Sequence, residues 1–299
     1  MKELICELSK KGISFKTDEP MKAHTTFKTG GNAKLFICPK DEKELSDVLT
    51  AVKSCGFRPF ILGNGSNLLV SDDGITDKPV IYIGEAFNEN KLIDETTVEA
   101  GAGASLSALC RFALEHSLTG LEFAFGIPGL CGGAAFMNAG AYGGEMKDVT
   151  VSCNHIDYNG NKGHFDGAEL DFGYRHSAYS DGGFVITSLV LKLEKGNKDE
   201  INAKMKELLQ RRRDKQPLEY PSAGSVFKRP EGYFAGALIE QSGLKGKSIG
   251  GAMVSEKHAG FIINYDNATT TDVVDLIKYC QKTVFDKFGV ELHTEIKFV

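Results

Sequence analysis

The chain has 299 residues, 41% hydrophobic and 25% charged, which is enough to bury a large core and to divide into two or three domains. Its formal charge of −5 excludes a general nucleic-acid binder, and no apolar run approaches the ~20 residues of a bilayer span. The opening MKELICELSKKG lacks an apolar signal core, and the seven scattered cysteines form no Cys-x-x-Cys pair, so a cytoplasmic protein without a disulfide framework or zinc ribbon is expected.

After Asp41, the apolar Leu45, Val48, Leu49 and Val52 recur at helical spacing and predict a capped amphipathic helix to about Gly56. Pro59-Phe60-Ile61-Leu62 reads as a buried strand that ends in Gly63-Asn64-Gly65-Ser66-Asn67 and resumes at Leu68. A second such unit runs from Thr97 into Gly101-Ala102-Gly103-Ala104, after which Ser105 opens a helix to Gly120 carrying Leu106, Leu109, Cys110 and Ala113. From Gly120 to Gly144 there are eight glycines in 25 residues, which reads as neither helix nor regular strand and implies a close approach of main chain to something.

Val149 to Tyr158 and Lys162 to Phe165 flank Asn159-Gly160, a type I′ hairpin signal, and Phe184 to Leu193 reads as another strand. Ile201, Met205, Leu208 and Leu209 predict a helix ending near Pro217. A last helix, Thr271 to Phe288, carries Val273, Val274, Ile277, Val284, Phe285 and Phe288 and is stopped by Gly289. In the terminal strand Val290, Leu292, Thr294, Ile296 and Phe298 alternate with polar residues, so Glu295 falls on the polar face.

Neither glycine loop completes the three-glycine dinucleotide fingerprint, because Leu68 and Leu106 stand at the third positions. What the first loop offers is consecutive unhindered N–H groups beside Ser66 and Asn67, the chemistry of a pyrophosphate cradle; a polar loop that merely turns the chain is the alternative. Gly126-Ile127-Pro128-Gly129 and Gly132-Gly133-Ala134-Ala135 would let main chain lie flat against a ring or phosphate, with Asn138 and Tyr142 as polar contacts, or would form a structural turn. Arg175 in Tyr174-Arg175-His176-Ser177 suits a bidentate carboxylate clamp or a surface ion pair. The basic run Arg211-Arg212-Arg213-Asp214-Lys215 suits a helix end or a local anion site. With no Gly-x-Ser-x-Gly, no His-Glu-x-x-His and no paired cysteines, hydrolase and metal chemistry fall away and no metal is expected.

Taken together, HTTFKTGG (24–31), GNGSNLLV (63–70), GIPGLCGGAAFMNAGAYGGE (126–145), YRHS (174–177), KQPLEYPSAGSVFKRP (215–230), GLKGKSIGGAMVSEKHAGFIIN (243–264) and ELHTEIKFV (291–299) resemble the UDP-N-acetylenolpyruvoylglucosamine reductases, in colinear order from about residue 15 to the end. The resemblance implies an α+β protein. Its FAD-binding domain would be of the vanillyl-alcohol-oxidase (PCMH-like) type, with subdomains over 1–79 and 80–200, followed by a smaller α/β substrate-binding domain over 201–299. It further implies non-covalent FAD, NADPH as co-substrate, and reduction of UDP-N-acetylglucosamine enolpyruvate to UDP-N-acetylmuramate for peptidoglycan, by a monomer that binds neither nucleic acid nor membrane.

Residue by residue, the family's catalytic arginine, proton-donating serine and glutamate fall on Arg175, Ser225 and Glu295. FAD contacts are expected at Gly63, Asn64, Gly65, Ser66, Asn67, Leu68, Pro128, Gly129, Gly132, Gly133, Asn138, Ala139 and Gly140. Substrate contacts are expected at Tyr174, Lys215, Arg229 and His258; Arg229 stands where other members carry Asn. The interval between Arg175 and Ser225 is too short for the substrate-capping tyrosine loop of one branch, which implies the branch without it. The other readings are a flavin oxidase of the same fold and a flavin- or nucleotide-binding module without catalysis.

Overall fold

A computed structural model describes residues 1–299. The chain folds as two compact units interleaved along the sequence: the first comprises 1–16, 35–64 and 78–211, the second 17–34, 65–77 and 212–299. Each unit has its own apolar core.

In the first unit, helix α1 (Lys2–Lys10) and helix α2 (Glu42–Ser54) cover a small parallel sheet in which Phe36 and Phe60 both pair with Val80. Asp41 caps α2 by accepting the Glu44 N–H at 2.7 Å, as the spacing predicts. Leu45, Val48, Leu49 and Val52 are essentially inaccessible, each worth roughly 1.5–3 kcal/mol of apolar burial. The larger sheet of this unit is antiparallel, in the order 162–166, 150–157, 184–192, 97–101, 90–92. Helix α3 (Leu106–Glu115) begins at the Ser105 cap and buries Leu106, Leu109, Cys110 and Ala113, but stops five residues before Gly120 because Ser117 takes a left-handed φ of 57°.

Two further expectations are corrected here. The glycine-rich stretch does contain a helix, α4 (Cys131–Phe136), fixed by burial of Cys131, Ala134 and Ala135 despite the poor helix propensity of its two glycines. The Asn159-Gly160 hairpin is not type I′, since only Gly160 has positive φ (88°); Gly160 N–H donates to Asp157 O at 2.9 Å, making a type I turn closed by a left-handed glycine. Asp157 favours it by accepting the Asn159 and Asn161 N–H groups at 2.8 and 2.9 Å. Helix α5 (Lys198–Lys215) closes the stretch, with Arg212, Arg213 and Lys215 in its last turn, the helix-end placement of the basic run.

The second unit is built on an antiparallel sheet in the order 222–225, 261–264, 252–254, 248–249, packed by helix α6 (Ala235–Gln241) and helix α7 (Thr270–Phe288). A reciprocal capping box between Thr269 and Asp272 starts α7, and Gly289 at φ 65° ends it. Val273, Ile277 and Val284 face the core, whereas Phe285 and Phe288 are 51% and 38% exposed and belong to the outer face. The terminal alternation is shorter than expected. Leu292 and Ile296 are buried, Phe298 is exposed, and just Lys297–Phe298 form a ladder, parallel to Leu68–Leu69.

Candidate active site

The first unit brings two of the glycine loops together: Asn64 Nδ2 donates to Pro128 O at 3.2 Å. A Cβ placed on Gly63 or Gly129 would meet a leucine side chain at 3.7 or 3.9 Å, and one on Gly133 would meet nothing within 4 Å. None of the three is crowded on its Cβ side, and Gly133 faces open space. Four other glycines serve packing: a Cβ on Gly132 would come within 2.9 Å of Ala102 Cβ, one on Gly140 within 2.7 Å of Glu145, and those on Gly101 and Gly103 within 2.1 and 1.9 Å of carbonyl oxygens. The close approach anticipated for the glycine-rich segment is thus partly an approach to the protein itself.

Arg175 occupies a tight turn in which Gly173 and His176 exchange both main-chain hydrogen bonds, at 3.0 and 3.3 Å. Its φ of 55° is left-handed, at the third turn position that ordinarily favours glycine. The guanidinium lies 5.5 Å from the ring centroid of exposed Tyr174. The turn is held from below by Asn138, whose side-chain amide donates to Gly173 O (2.9 Å) and Glu145 Oε2 (3.0 Å) while its oxygen accepts Lys147 N–H (3.0 Å). Asn138 is 1% exposed, so its polar atoms are committed within the protein. Glu145, which sequence reasoning missed, is held below the usual carboxylate range by its bond to Lys147, then by Asn138 and by the nearby charge of Arg175. Ala139 and Gly140 continue this frame through Met146 N–H to Ala139 O (3.0 Å) and the pairing of Gly140 with Glu145.

In the second unit, Ser225 ends a bulged strand: Ser222 pairs with Ile263 and Ser225 with Phe261, with the register slip between them taken up near Gly224 at φ 77°. A bulge re-aims a side chain, and here the serine is exposed while flanking Ala223 and Val226 are buried. Glu295 N–H donates to Val226 O at 2.7 Å and Lys228 N–H to His293 O at 2.8 Å, so the serine and glutamate segments run side by side. Gly65 of the first glycine loop is packed against His24, whose carbonyl oxygen would lie 2.2 Å from an added Cβ; Ser66, Asn67 and Leu68 follow, half-buried.

The expected substrate residues of this unit lie apart in kind. Lys215 is exposed at the end of α5, and exposed Arg229 stacks its guanidinium 4.1 Å from the Phe234 ring centroid. His258 Nδ1 accepts the Gly260 N–H at 3.1 Å, which leaves its proton on Nε2, and burial lowers its pKa and keeps the ring neutral.

Comparison with known proteins assigns both parts. Residues 216–299 match the UDP-N-acetylenolpyruvoylglucosamine reductase C-terminal domain, and residues 33–163 match an FAD binding domain. The UDP-N-acetylenolpyruvoylglucosamine reductase of Caldanaerobacter subterraneus subsp. tengcongensis is 51% identical over 98% of this chain and 96% of its own. The chain belongs to the UDP-N-acetylenolpyruvoylglucosamine reductase family. Another reductase of this name, from Clostridium perfringens, is 49% identical over 94% of this chain and 92% of its own. The crystal structure of the reductase from Thermus caldophilus superposes with a TM-score of 0.81 at 35% identity, covering 96% of this chain and 98% of that one. At 15% identity and a TM-score of 0.50, Phl p 4.0202, a glucose dehydrogenase, shares the fold alone, over 66% of this chain and 44% of that one. The expected α+β architecture with a PCMH-like FAD-binding domain is therefore the fold of this reductase. Uncrowded main chain at Gly63 and Gly129 and open space at Gly133, on loops tied by Asn64, fit a group that is both planar and phosphate-bearing, as FAD is.

Proposed function

We propose that this reductase acts through Arg175, Ser225 and Glu295, with NADPH as its reductant. As a family member it is an FAD-containing oxidoreductase that reduces UDP-N-acetylenolpyruvoylglucosamine in peptidoglycan precursor synthesis. FAD, when bound, supplies hydride transfer between NADPH and the terminal carbon of the enolpyruvyl double bond; Gly63 to Leu68, Pro128, Gly129 and Gly133 hold it non-covalently, and Asn138 with Ala139 and Gly140 frames that region.

The chain's own residues do the rest. As hydride adds, negative charge develops on the adjacent carbon and its carboxylate. Arg175 takes that carboxylate in its planar fork and stabilises the charge where it forms, an effect enlarged in a water-poor cleft. Glu295 orients the same end of the substrate. Ser225 gives its hydroxyl proton to the carbon; a hydroxyl is a weak acid, so the step draws on the basicity of the carbanionic centre and a short path. Lys215 and Arg229 hold diphosphate or carboxylate of the substrate, Tyr174 packs against the substrate, and neutral His258 donates from Nε2. The product is UDP-N-acetylmuramate. The domain division over 1–79, 80–200 and 201–299, the monomeric state, the cytoplasmic location and membership of the branch without the tyrosine loop belong to the same reading.

The reading is supported above all by the 2.7 Å bond from Glu295 N–H to Val226 O, which makes the serine and glutamate segments neighbours. The holoprotein tests it. NADPH should bleach the yellow protein anaerobically, and UDP-N-acetylglucosamine enolpyruvate should restore the colour much faster than air does. Faster recovery in air than with this substrate would make the protein an oxidase instead.

A further inference from the structure

Asn67 closes the GNGSN loop, where a flavin contact is the expectation, and it also bonds to the C-terminal segment. Its carbonyl accepts Lys297 N–H at 2.9 Å, and its side-chain Nδ2 donates to Glu295 O at 3.2 Å. The stitching continues with Val299 N–H to Leu69 O (3.1 Å) and Ser71 N–H to Val299 O (2.7 Å). On its other side, Glu295 gives its N–H to Val226 O at 2.7 Å, on the segment that follows Ser225.

The N–H and C=O of one residue in extended backbone leave on the same edge of the strand, whereas a side-chain amide reaching in from a neighbouring loop can bond the C=O from another direction. The two peptide groups that flank the Cα of Glu295 are thus each held, the one carrying its N–H by the serine segment and the one carrying its C=O by the glycine loop. The regular ladder begins two residues later, at Lys297, so without Nδ2 of Asn67 the carbonyl of Glu295 loses the bond that extends this support upstream. Rotation of that peptide would swing the direction in which the Glu295 side chain departs. Displacements of about 1 Å at a reacting group can cost on the order of 100-fold in rate.

We propose that Asn67 is a positioning residue that aims Glu295 by holding its carbonyl, and so links the loop that carries flavin to the carboxylate that serves the substrate. This rests on the roles assigned above to that loop and to Glu295. A cofactor that stiffens the loop also stiffens the glutamate.

The test uses holoenzyme saturated with FAD, with the two half-reactions followed separately by stopped-flow absorbance. In Asn67→Ala, re-oxidation of reduced flavin by UDP-N-acetylglucosamine enolpyruvate should slow ~10- to 100-fold, by a clearly larger factor than reduction by NADPH slows in the same variant. The isosteric Asn67→Asp should be slower still near neutral pH, because a carboxylate faces the carbonyl, and should regain rate relative to wild type as acid protonates it into a donor; the alanine variant should not. Combining Asn67→Ala with Glu295→Gln should slow re-oxidation no further than Glu295→Gln alone.

A variant that loses FAD affinity or thermal stability but re-oxidises at the wild-type rate once saturated would overturn the proposal. So would equal slowing of both half-reactions, or a double variant whose losses simply multiply. If Glu295→Gln itself re-oxidises like wild type, the role of Glu295 has failed, and with it the basis for asking what holds it.

Discussion

Arg175 is held at φ 55° in a turn whose fit favours glycine, a strain of roughly 1–2 kcal/mol that the surrounding bonds must overcome. Its guanidinium offers two parallel donors where lysine offers a point charge, so Arg175→Lys should keep the local charge yet lose the fork. The expected result is re-oxidation by the enolpyruvyl substrate slowed by at least ~10-fold, with NADPH reduction of the flavin little changed; equal rates for the lysine variant would remove the bidentate role. Motif resemblance alone nominates Arg175, Ser225 and Glu295 for the proposed roles; what holds them in place was not legible in the sequence. Asn138 steadies the Arg175 turn through Gly173 O, 35 residues away, and local patterning carries no trace of a bond over that separation. Glu145 escaped notice for the same reason: its meaning lies in Lys147, Asn138 and Arg175 converging on it in space.

Elements show the balance between local signal and tertiary context. Helices α2 and α7 were readable because cap, period and stop agree, whereas α4 was not, since two glycines argue against a helix and its burial argues for one. Those glycines make a matched pair of tests. Gly133→Ala adds a Cβ into open space within a helix, so it should leave the fold as stable or stabilise it by about 0.5–1 kcal/mol while weakening FAD binding. Gly132→Ala puts its Cβ 2.9 Å from Ala102 Cβ and should instead destabilise the fold by roughly 1–3 kcal/mol. Urea unfolding and FAD titration of both variants decide the matter; unchanged FAD affinity in Gly133→Ala would exclude that face from the cofactor site.

At the start of α7, Asp72 accepts the Thr270 and Thr271 N–H groups at 2.8 and 2.9 Å and anchors the loop that follows the glycine motif. Burial alone would raise its pKa, but these bonds outweigh it and hold the carboxyl below its ordinary 3.8. A depressed folded pKa contributes stability that is present above 3.8 and lost as pH falls through the lower folded value. Asp72→Ala should therefore cost about 1 kcal/mol near neutrality, with the gap to wild type narrowing below about pH 4. A gap that stays constant down to pH 2.5 would mean the carboxylate is not the cap.

At the scale of the whole molecule there are two cores, each assembled from three separated stretches of sequence; the first carries Gly63, Asn64 and the 126–133 loop, the second the serine–glutamate segments. The interleaving was not legible, because a chain read in order suggests consecutive domains, while the 17–34 and 65–77 segments join a unit completed after residue 211. The hydroxyl of Ser225, at the end of the bulged strand of the second unit, is the proposed proton donor. The most direct test is Ser225→Ala in FAD-loaded protein, with reduction by NADPH and re-oxidation by UDP-N-acetylglucosamine enolpyruvate measured in separate experiments. Reduction should proceed at close to the wild-type rate and re-oxidation should fall by at least about 100-fold, in line with the loss of a positioned acid. Re-oxidation at the wild-type rate, or an equal loss in both steps, would contradict the account.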